Sequence, residues 1–519
     1  MNKFYLSTAI AYVNAAPHVG HALEFVQADA LTRYHRIKGD DVFFLTGTDE
    51  HGVKIFEAAQ EKKMETKTFV DFNAKQFEDL KGILNLNYDG FVRTSSEHHK
   101  KGAQKIWMKM FEAGDIYKGV YKGNYCVGCE SFIPEKDLDE EGNCPIHKKK
   151  PKTLEEENYF FKLSKYSDAI KKAIETDKLL ILPEARKNEM LKLIGEDGLK
   201  DVSFSRPKDV LPWGVTVPND DSQVMYVWCD ALSNYITAIG YADGKNEEES
   251  DNFKKYWPCD VHLIGKDILR FHAGIWIGML MSAGLDLPKA IYVHGFVTSE
   301  GQKMSKSLGN VINPLEYVEK YGTEAMRYYL LKEIPTADDG DFSHKRFLEI
   351  FNSELANSMG NLVNRVVMMT ERYCGGKVPA RMHGEKADFV GVDGAGVYEQ
   401  LMLLVDAYKA AFERFDLKVA CEALVSIVNL GNKYIDDKKP WTMAKETPEK
   451  VPEVLYNLLE LLRFVGILFY PILPECSVKI LKQIGANSED IKIDSLKWGV
   501  LKEGSVVEKA EVLFPRIEE

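Results

Sequence analysis

Apolar and polar residues alternate along the opening segment, KFYLSTAI, as they do in a β-strand with one buried face. After a short loop, the segment HALEFVQADALTRYHRI has the apolar spacing of a helix, and DDVFFLTGTDEHG is a second apolar run that ends in polar residues. A strand, a polar loop, a helix and another strand in succession predict an α/β unit with a parallel sheet. This pattern stops near residue 115.

The next hundred residues follow a different pattern. A cysteine cluster, the lysine run HKKKPK and mixed β-like and helical pieces predict an inserted module, after which the α/β pattern returns in SQVMYVWCDALSNYI and DVHLIGKDILRFHAGIW. We therefore predict a Rossmann-like parallel-sheet domain that an insertion splits. The predicted ranges are 1–115 for the first half, 116–225 for the insertion, 226–295 for the second half and 296–345 for a loop and linking segment.

The last third of the chain has a helical pattern. One face of the segment FNSELANSMGNLVNRVVMMTERY carries apolar residues at steps of three and four, namely Leu355, Met359, Leu362 and Val366. Two further long segments continue in the same way. Residues 346–519 are therefore predicted to form an all-α, antiparallel helix bundle.

The composition excludes several classes of protein. The chain has 519 residues, 45% of them hydrophobic, so it can bury large cores. It has no apolar run of about 18 residues, and its first residues lack the features of a secretory signal, so we expect a cytoplasmic protein without membrane contact. A formal net charge of −12 argues against a protein that binds nucleic acids without specificity. It allows a specific nucleic-acid partner bound at local basic patches.

Three of the eight cysteines lie close together and are followed by a histidine. The spacing is C-x-x-C, fourteen residues, C-x-x-H. Two close pairs presented by tight turns can complete a tetrahedron around Zn²⁺ and leave no position for water, which is typical of a structural site. We predict a zinc knuckle in the insertion, with the ligands Cys126, Cys129, Cys144 and His147.

The loop after the first predicted strand contains PHVGH. His18 and His21 lie three residues apart at the start of a helix, where free backbone N–H groups and the helix dipole favour anions. Gly20 lies between them and has no side chain, so a flat ring such as adenine could approach the backbone. Alone, this pattern is also typical of two surface histidines near a turn.

The segment GQKMSKSLGN follows the last strand of the α/β pattern, where no helix or strand is predicted. Lys303 and Lys306 offer mobile positive charges to phosphate oxygens, Ser305 lies between them, and the flanking glycines let the loop close and reopen. Alone, the segment is also typical of a solvated basic loop. The chain contains neither GxxxxGK[ST], the P-loop motif, nor GxGxxG, the dinucleotide-binding motif, so neither of these is its phosphate-binding segment.

Together, H-x-G-H near the N-terminus and K-M-S-K-S late in an interrupted α/β region resemble the class I aminoacyl-tRNA synthetases. The resemblance implies that the substrates include ATP with Mg²⁺ and that positive charge stabilises the transition state at the α-phosphorus. The catalytic residues would be His18, His21, Lys303 and Lys306. The implied ATP-binding residues are His18, Gly20, His21, Lys266, Lys303, Ser305 and Lys306.

The segments STAIAYVNAAPHVGH, LTGTDEHG, YVWCDALSNY and GKDILRFHAGIW are similar to the methionine-activating members of this family, over essentially the whole chain. The resemblance implies an apolar pocket for the polarisable thioether, in which a tyrosine hydroxyl or a histidine N–H could meet the sulfur. Asp49 would bind the α-ammonium group, and Glu24 and Arg206 would help to handle ATP or substrate. Leu232 stands where proline is common in the family. The implied pocket residues are Ile10, Tyr12, Asp49, Trp228, Ala231, Leu232, Tyr235, Ile268 and His272.

The resemblance also implies how a nucleic acid is recognised. Unpaired bases are bound by stacking on aromatic rings and by hydrogen bonds to their edges. Trp441 would stack on a base of the CAU anticodon of tRNA(Met), and Asn361 and Arg365 would contact base edges in the anticodon-binding bundle. From the residues alone, Trp441 is equally well interpreted as a core residue. No further domain is predicted after LFPRIEE, so we expect a monomer.

The expected reaction is ATP-dependent activation of L-methionine to methionyl-adenylate with release of pyrophosphate. Methionine is then transferred to the 3′ end of initiator and elongator tRNA(Met). Three alternatives remain: a cysteine-activating relative, a small-molecule adenylyltransferase and a non-enzymatic tRNA-binding relative. The cysteine-activating relative would use zinc in its amino-acid pocket. The adenylyltransferase would not need the helical C-terminal part of the chain, and the non-enzymatic relative would not need both motifs.

Overall fold

The computed structural model describes residues 2–126, 131–133, 135–146, 148–195, 197–243, 248–304, 309–381, 396–489 and 491–518. Within these ranges, a seven-stranded parallel sheet forms the centre of the first half of the protein, in the order β2-β3-β1-β13-β14-β8 with β4 paired to β3. Its strands are β1 (Lys3–Thr8), β2 (Ala11–Tyr12), β3 (Asp41–Asp49), β4 (Gly90–Arg93), β8 (Leu180–Leu182), β13 (Val261–Gly265) and β14 (Ala290–His294).

The order of the strands places a crevice beside β1. The chain moves from β1 to β3 on one side and reaches β13 on the other side only much later. In parallel sheets, ligands bind beyond the carboxyl ends of the strands where the order reverses in this way. All residues of β13 and β14 are buried, as expected for strands that helices cover on both faces.

Helices pack on both faces of this sheet. The longest of them, α1, begins beside the N-cap residue His18 and ends at Gly39, whose φ of 94° terminates it in the left-handed region. The helices of this half are α1 (Val19–Lys38), α2 (Val53–Glu61), α3 (Thr66–Ile83), α4 (Glu97–Glu112), α7 (Val227–Leu232), α8 (Asn234–Thr237), α9 (Asp251–Tyr256) and α10 (Ile277–Ala283).

The predicted insertion, 116–225, contains two antiparallel sheets. The first has the order β6-β5-β7-β9, with β5 (Ile116–Cys126), β6 (Ser131–Ile133), β7 (Lys152–Phe161) and β9 (Val202–Ser203). The second has the order β10-β12-β11, with β10 (Ser205–Pro207), β11 (Thr216–Val217) and β12 (Asp220–Met225). The same range holds α5 (Ser167–Glu175), α6 (Glu184–Ile194) and β8. Since β8 pairs with β14, part of this range belongs to the central sheet.

The segment after β14 forms a third small sheet. β15 (Val297–Ser299) pairs with β16 (Gln302–Lys303) across a two-residue turn and with β17 (Gly340–Phe342) in parallel. The start of the predicted lysine loop is thus a short strand, although no strand was expected there. Two helices connect β16 to β17, namely α11 (Pro314–Tyr321) and α12 (Thr323–Lys332).

The last third of the chain is helical, as predicted. Leu355, Met359, Leu362 and Val366 are all buried, which confirms the predicted apolar face. Almost every residue of α18 is buried, so this helix lies at the centre of the bundle. The helices are α13 (His344–Ile350), a π-helical segment at Phe351–Gly360, α14 (Asn361–Cys374), α15 (Val397–Glu413), α16 (Leu417–Lys438), α17 (Pro440–Glu446), α18 (Val451–Phe469) and α19 (Pro474–Gln483).

A buried ionic cluster joins the central sheet to the bundle. Asp29 of α1 accepts hydrogen bonds from Arg33 and from Arg327 of α12, each at 2.7 Å. Arg327 is completely buried and also donates to the carbonyl oxygens of Leu84, Pro471 and Ile472. Helix α1 and the turn after α18 are therefore held by one guanidinium group. Among the helices in the described ranges, none combines the length and apolar character that crossing a bilayer requires.

Candidate active site

The H-x-G-H segment forms the first turn of α1. The Gly20 N–H donates to Nδ1 of His18 at 3.1 Å, and the His18 N–H donates to Nδ1 of His21 at 3.2 Å. The two rings lie 4.0 Å apart. Burial, together with the neighbouring rings of His18 and His294, lowers the pKa of His21 well below its usual value. A neutral imidazole that accepts at Nδ1 carries its proton on Nε2, so His21 is a neutral N–H donor.

Gly20 makes room for one of these rings. A Cβ atom on Gly20 would lie 2.9 Å from Cε1 and 3.0 Å from Nδ1 of His18. A side chain here would therefore force the His18 ring to shift. The expected approach of adenine to this glycine stays a prediction.

A cavity of about 620 Å³ opens beyond the carboxyl ends of β1, β3 and β13. It lies at the crevice that the strand order predicts. The cavity brings together every residue of the predicted methionine pocket and the predicted nucleotide-binding residue Lys266. The predicted residues that line it are Ile10, Tyr12, Asp49, Trp228, Ala231, Leu232, Tyr235, Lys266, Ile268 and His272.

One wall of the cavity is aromatic. The rings of Trp228 and Phe271 stack with their centroids 3.9 Å apart and their planes 9° apart. Phe271 and His272 belong to a π-helical turn, Phe271–Trp276, and such turns are frequent at functional sites. Leu232, at the position where proline is common in the family, is buried and lines the same cavity.

A chain of hydrogen bonds fixes the polar groups of this wall. His272 Nδ1 lies 3.0 Å from the carbonyl oxygen of Ile268, which can only accept, so Nδ1 carries the proton. Nε2 of His272 therefore accepts from the hydroxyl of Tyr235 at 2.6 Å. Burial lowers the pKa of His272 to about 4, so the ring is neutral at physiological pH. Both expected donors to a sulfur atom are thus already bonded within the protein.

Asp49, the last residue of β3, also lines the cavity. It is 7% exposed, and its backbone carbonyl accepts from the Val13 N–H at 3.2 Å. Trp213, from the inserted range, donates to the carbonyl oxygen of the next residue, Glu50, at 2.5 Å. The Glu50 carboxylate accepts from Arg93 at 2.6 Å. The segment that carries Asp49 is therefore fixed by groups from several elements.

A buried carboxylate joins the Asp49 segment to the Trp228 helix. Asp230 of α7 accepts from His51 Nδ1 at 2.6 Å and from His99 Nε2 at 2.8 Å. Burial alone would raise the pKa of Asp230, but the two histidines hold this pKa below its usual range. This cluster was not predicted.

The lining side chains that sequence reasoning missed include three basic residues and an aromatic one, namely Lys54, Arg186, Arg270 and Phe296. Lys266 pairs with Asp339 at 2.6 Å and lies 4.5 Å from the centre of the Phe296 ring. Lys54 lies 5.7 Å from the centre of the Tyr12 ring. Basic residues between hydrophobic segments are common, so no signal in the sequence distinguished these.

Several residues predicted for the active site are not among the described residues that line the cavity, namely His18, Gly20, His21, Glu24 and Arg206. Glu24 of α1 bonds to Nε2 of His294, at the end of β14, at 2.8 Å. Arg206 is buried in the inserted range, where it pairs with Glu156 at 2.9 Å and lies over the Tyr125 ring at 4.2 Å. The structure therefore gives Glu24 and Arg206 partners within the protein.

The lysine loop is described only in part. The backbone of Lys303 belongs to β16, opposite Thr298. The Lys303 side chain, Ser305 and Lys306 lie outside the described part of the chain.

Two of the four predicted zinc ligands lie within the described ranges. Cys126 is the last residue of β5 and is 3% exposed, and Cys144 is fully buried. In contrast Ile146, two residues away, is 61% exposed and lines the large cavity. Cys129 and His147 lie outside these ranges, and within them no three potential ligand side chains are grouped as around a metal ion.

The predicted anticodon residues lie on one surface of the bundle. Asn361 and Arg365 are one turn apart on α14, and the Arg365 guanidinium lies 5.8 Å from the centre of the Trp441 ring. Trp441, in the first turn of α17, is 43% exposed, so it is not a core residue. Arg365 also pairs with the exposed Asp436 at 2.7 Å.

Comparisons with known proteins identify the family. A family model described as tRNA synthetases class I (M) matches residues 4–153 and 138–367, and one described as the anticodon binding domain of methionyl tRNA ligase matches residues 386–519. The methionine–tRNA ligase of Caldanaerobacter subterraneus subsp. tengcongensis is 45% identical over 517 residues, which cover 99% of this chain and 79% of that protein. The chain belongs to the methionyl-tRNA synthetase family.

Further methionyl-tRNA synthetases show the extent of the similarity. The Brucella melitensis enzyme is 39% identical over 522 residues, covering 99% of this chain and 98% of that one. The structure of the Mycobacterium tuberculosis methionyl-tRNA synthetase in complex with methionyl-adenylate matches with a TM-score of 0.93 and 37% identity, covering 99% of this chain and 100% of that one. The predicted sheet domain and helical domain are thus confirmed as the architecture of this family.

Proposed function

We propose that the protein activates L-methionine with ATP to form methionyl-adenylate and then transfers methionine to the 3′ end of tRNA(Met). The observation that carries this proposal is the cavity at the carboxyl ends of β1, β3 and β13. It gathers an aromatic wall and a carboxylate from positions far apart in the sequence. The loop that leaves this cavity at Tyr12 leads directly to His18 and His21 at the start of α1.

In the first step a carboxylate oxygen of methionine bonds to the α-phosphorus of ATP. The bond from that phosphorus to the bridging oxygen of the β-phosphate breaks, and pyrophosphate leaves. Mg²⁺ enters with ATP and neutralises part of the phosphate charge. The Nε2–H group of His21, and His18 beside it, donate to phosphate oxygens as charge develops, while Lys303 and Lys306 hold the departing phosphates.

In the second step a ribose hydroxyl of the terminal tRNA nucleotide attacks the carbonyl carbon of the adenylate. The bond from this carbon to the phosphate oxygen breaks, and AMP leaves. Positioning supplies most of the rate in both steps, because the protein forms no covalent bond to either substrate.

Methionine is selected by its two ends. The Asp49 carboxylate binds the α-ammonium group, and the stacked pair of Trp228 and Phe271 covers the apolar side chain. The thioether gains dispersion contacts with these rings, since the Tyr235 hydroxyl and the His272 N–H are bonded elsewhere. No cysteine is among the described residues that line the cavity, which disfavours the cysteine-activating alternative.

Methionine-dependent exchange of pyrophosphate into ATP tests this function. Methionine should support exchange, and cysteine, leucine and isoleucine should not. Lys306→Ala should reduce the exchange rate about 100-fold or more and change the Kd for methionine less than about threefold, since it acts on the transition state. Exchange with any of the other three amino acids at the methionine rate would contradict the proposal.

The bundle is proposed to bind the CAU anticodon. The exposed Trp441 ring offers a stacking surface, and Arg365 beside it and Asn361 one turn away offer hydrogen bonds to base edges. Arg365 must leave Asp436 to bind a base.

We also propose that Cys126, Cys129, Cys144 and His147 hold a structural zinc ion. The burial of Cys144 beside the exposed Ile146 supports this, because hydrophobic burial alone would favour the isoleucine. A thiol turned inward in an otherwise polar segment fits a metal ligand. Zinc would hold the hairpin of β5 and β6 in shape.

Metal analysis tests the zinc proposal. The purified protein should contain one zinc ion per chain, and Cys144→Ser should lose it. Cys259→Ser changes a buried cysteine that lies two residues before β13, and it should retain the metal. Full zinc content in Cys144→Ser would overturn the proposal.

We also propose that the protein is a cytoplasmic monomer. Light scattering of the purified protein should give a mass close to 58.9 kDa. A mass twice as large would contradict this expectation.

A further inference from the structure

Asp230 lies beside the methionine pocket but is not among the described residues that line it. It is on α7, between Trp228 and Ala231, which do line the cavity. Its side chain is 1% exposed, and the His51 and His99 side chains that bond to it are 3% and 0% exposed. Burying a carboxylate costs free energy because the charge loses its hydration. A buried carboxylate therefore needs well-placed hydrogen-bond partners.

The two histidines come from different elements. His51 follows Asp49 by two residues, in the short segment between β3 and α2. His99 is on α4, and its Nδ1 lies 2.8 Å from the Thr237 hydroxyl, so its Nε2 is aimed at Asp230. Asp230 therefore connects the Asp49 segment, the Trp228 helix and α4.

This connection joins two segments that line the pocket. Asp49 lines the cavity from the end of β3, and Trp228 and Ala231 line it from α7. The bond between His51 and Asp230, at 2.6 Å, is a direct side-chain link between these two segments. In the proposed function methionine contacts both segments at once, with its ammonium group at Asp49 and its side chain at Trp228.

We propose that Asp230 is a positioning residue that sets the separation between the Asp49 carboxylate and the apolar wall, and thereby the affinity for methionine. The inference rests on the proposed function, since it takes Asp49 as the ligand of the α-ammonium group. Asp230→Asn keeps the shape of the side chain but places an amide N–H₂ against one of two histidine N–H donors. One end of the link then opens, and a displaced Asp49 carboxylate makes a weaker charge-assisted hydrogen bond to the α-ammonium group.

A double-mutant cycle tests the proposal. Asp230→Asn should raise the Kd for methionine about 10-fold to 100-fold, while the KM for ATP in pyrophosphate exchange changes less than about twofold. Asp49→Asn should also weaken methionine binding. Because Asp230 acts through Asp49, the double variant should bind methionine no more than about threefold more weakly than Asp49→Asn alone. Losses that multiply in the double variant would overturn the proposal.

The cycle also separates this inference from the proposed function. If Asp49→Asn binds methionine as the unchanged protein does, the role of Asp49 in the proposed function is wrong. If Asp49→Asn loses affinity and Asp230→Asn does not, only the positioning role is wrong. Asp260→Asn is the matched control, since Asp260 is a buried carboxylate at the start of β13 that bonds to the Tyr5 N–H at 2.8 Å. It should lower the melting temperature and leave the Kd for methionine unchanged.

Two variants of His51 keep the test decisive if Asp230→Asn does not fold. His51→Leu removes the donor on the Asp49 side and leaves the bond between Asp230 and His99, so it should weaken methionine binding as Asp230→Asn does. His51→Gln can still donate to Asp230 and should recover most of the affinity. Equal affinities in the two variants would contradict a positioning role, whatever their melting temperatures.

Discussion

At the scale of single residues, the rings of His18 and His21 are held in fixed orientations at the start of α1. The backbone of the first helical turn fixes the orientation of both rings, because each Nδ1 atom accepts from a main-chain N–H group. A ring held in this way needs no reorganisation when charge develops on a phosphate. The arrangement depends on the missing side chain at Gly20.

Gly20→Ala tests this dependence. The added Cβ would meet the His18 ring, so we expect the rate of pyrophosphate exchange to fall about 10-fold to 100-fold with little change in the Kd for methionine. The control is Gly82→Ala in α3, where an added Cβ meets nothing within 4 Å. It should leave exchange unchanged and raise the free energy of unfolding by up to about 1 kcal/mol. An unchanged rate in Gly20→Ala would contradict the role of the fixed ring.

The Tyr235 hydroxyl leads to a second residue-scale prediction. Tyr235→Phe leaves the Nε2 acceptor of His272 without its buried donor, so the free energy of unfolding should fall by about 1–3 kcal/mol. In the proposed complex the sulfur atom of methionine accepts no hydrogen bond from Tyr235, because this hydroxyl is bonded to His272. The KM values for methionine and for norleucine, which has a methylene in place of the sulfur, should therefore change by the same factor in pyrophosphate exchange. A fivefold greater loss for methionine would show that the hydroxyl binds the sulfur.

At the scale of elements, local pattern predicted most of the long helices and strands and part of the site. The apolar face at Leu355 and Leu362 follows from helical periodicity, and the ligand edge of the sheet follows from strand order. The three-residue strand β8 could not be separated from the insertion, because its pairing with β14 lies more than a hundred residues away. The cluster of His51, His99 and Asp230 was missed for the same reason: nothing local marks residues that only tertiary packing brings together.

Trp441 provides a test at the scale of the bundle. Because its ring is 43% exposed, Trp441→Ala should change the free energy of unfolding by less than about 1 kcal/mol. Loss of one stacked base costs about 1–3 kcal/mol, so kcat/KM for tRNA should fall about 5-fold to 150-fold while pyrophosphate exchange is unchanged. Trp498→Ala removes a ring that packs on Tyr398 and Phe464 instead. It should lower the melting temperature without a selective loss for tRNA, and the opposite result for the two variants would refute the assignment.

At the scale of the whole molecule, the joint between the sheet domain and the bundle contains a titrating carboxyl group. Glu324 of α12 accepts from the Cys476 N–H at 3.0 Å, at the start of α19. Burial raises the pKa of Glu324 to about 7. The folded protein therefore binds this proton more tightly than the unfolded chain does. The stability that this adds is complete below about pH 4.5 and is lost as the pH rises to about 7.

Glu324→Gln removes this titration. Between pH 5 and pH 8, the free energy of unfolding of the unchanged protein should fall by about 1–3 kcal/mol relative to the variant, as measured by denaturant unfolding at each pH. Glu319→Gln replaces an exposed carboxylate in the preceding helix and should give a curve parallel to that of the unchanged protein. Parallel curves for Glu324→Gln would contradict the raised pKa.

The helix α1 has a mechanical consequence for the whole enzyme. Its 20 residues span about 30 Å. His18 lies at its N-terminal end, and Asp29, near its midpoint, forms an ion pair with Arg327. At the far end, Tyr34 stacks on Phe412 of the bundle at 4.4 Å, and Lys38 pairs with Glu413. Because α1 is one continuous helix, a small tilt of the bundle would displace the imidazole rings of His18 and His21.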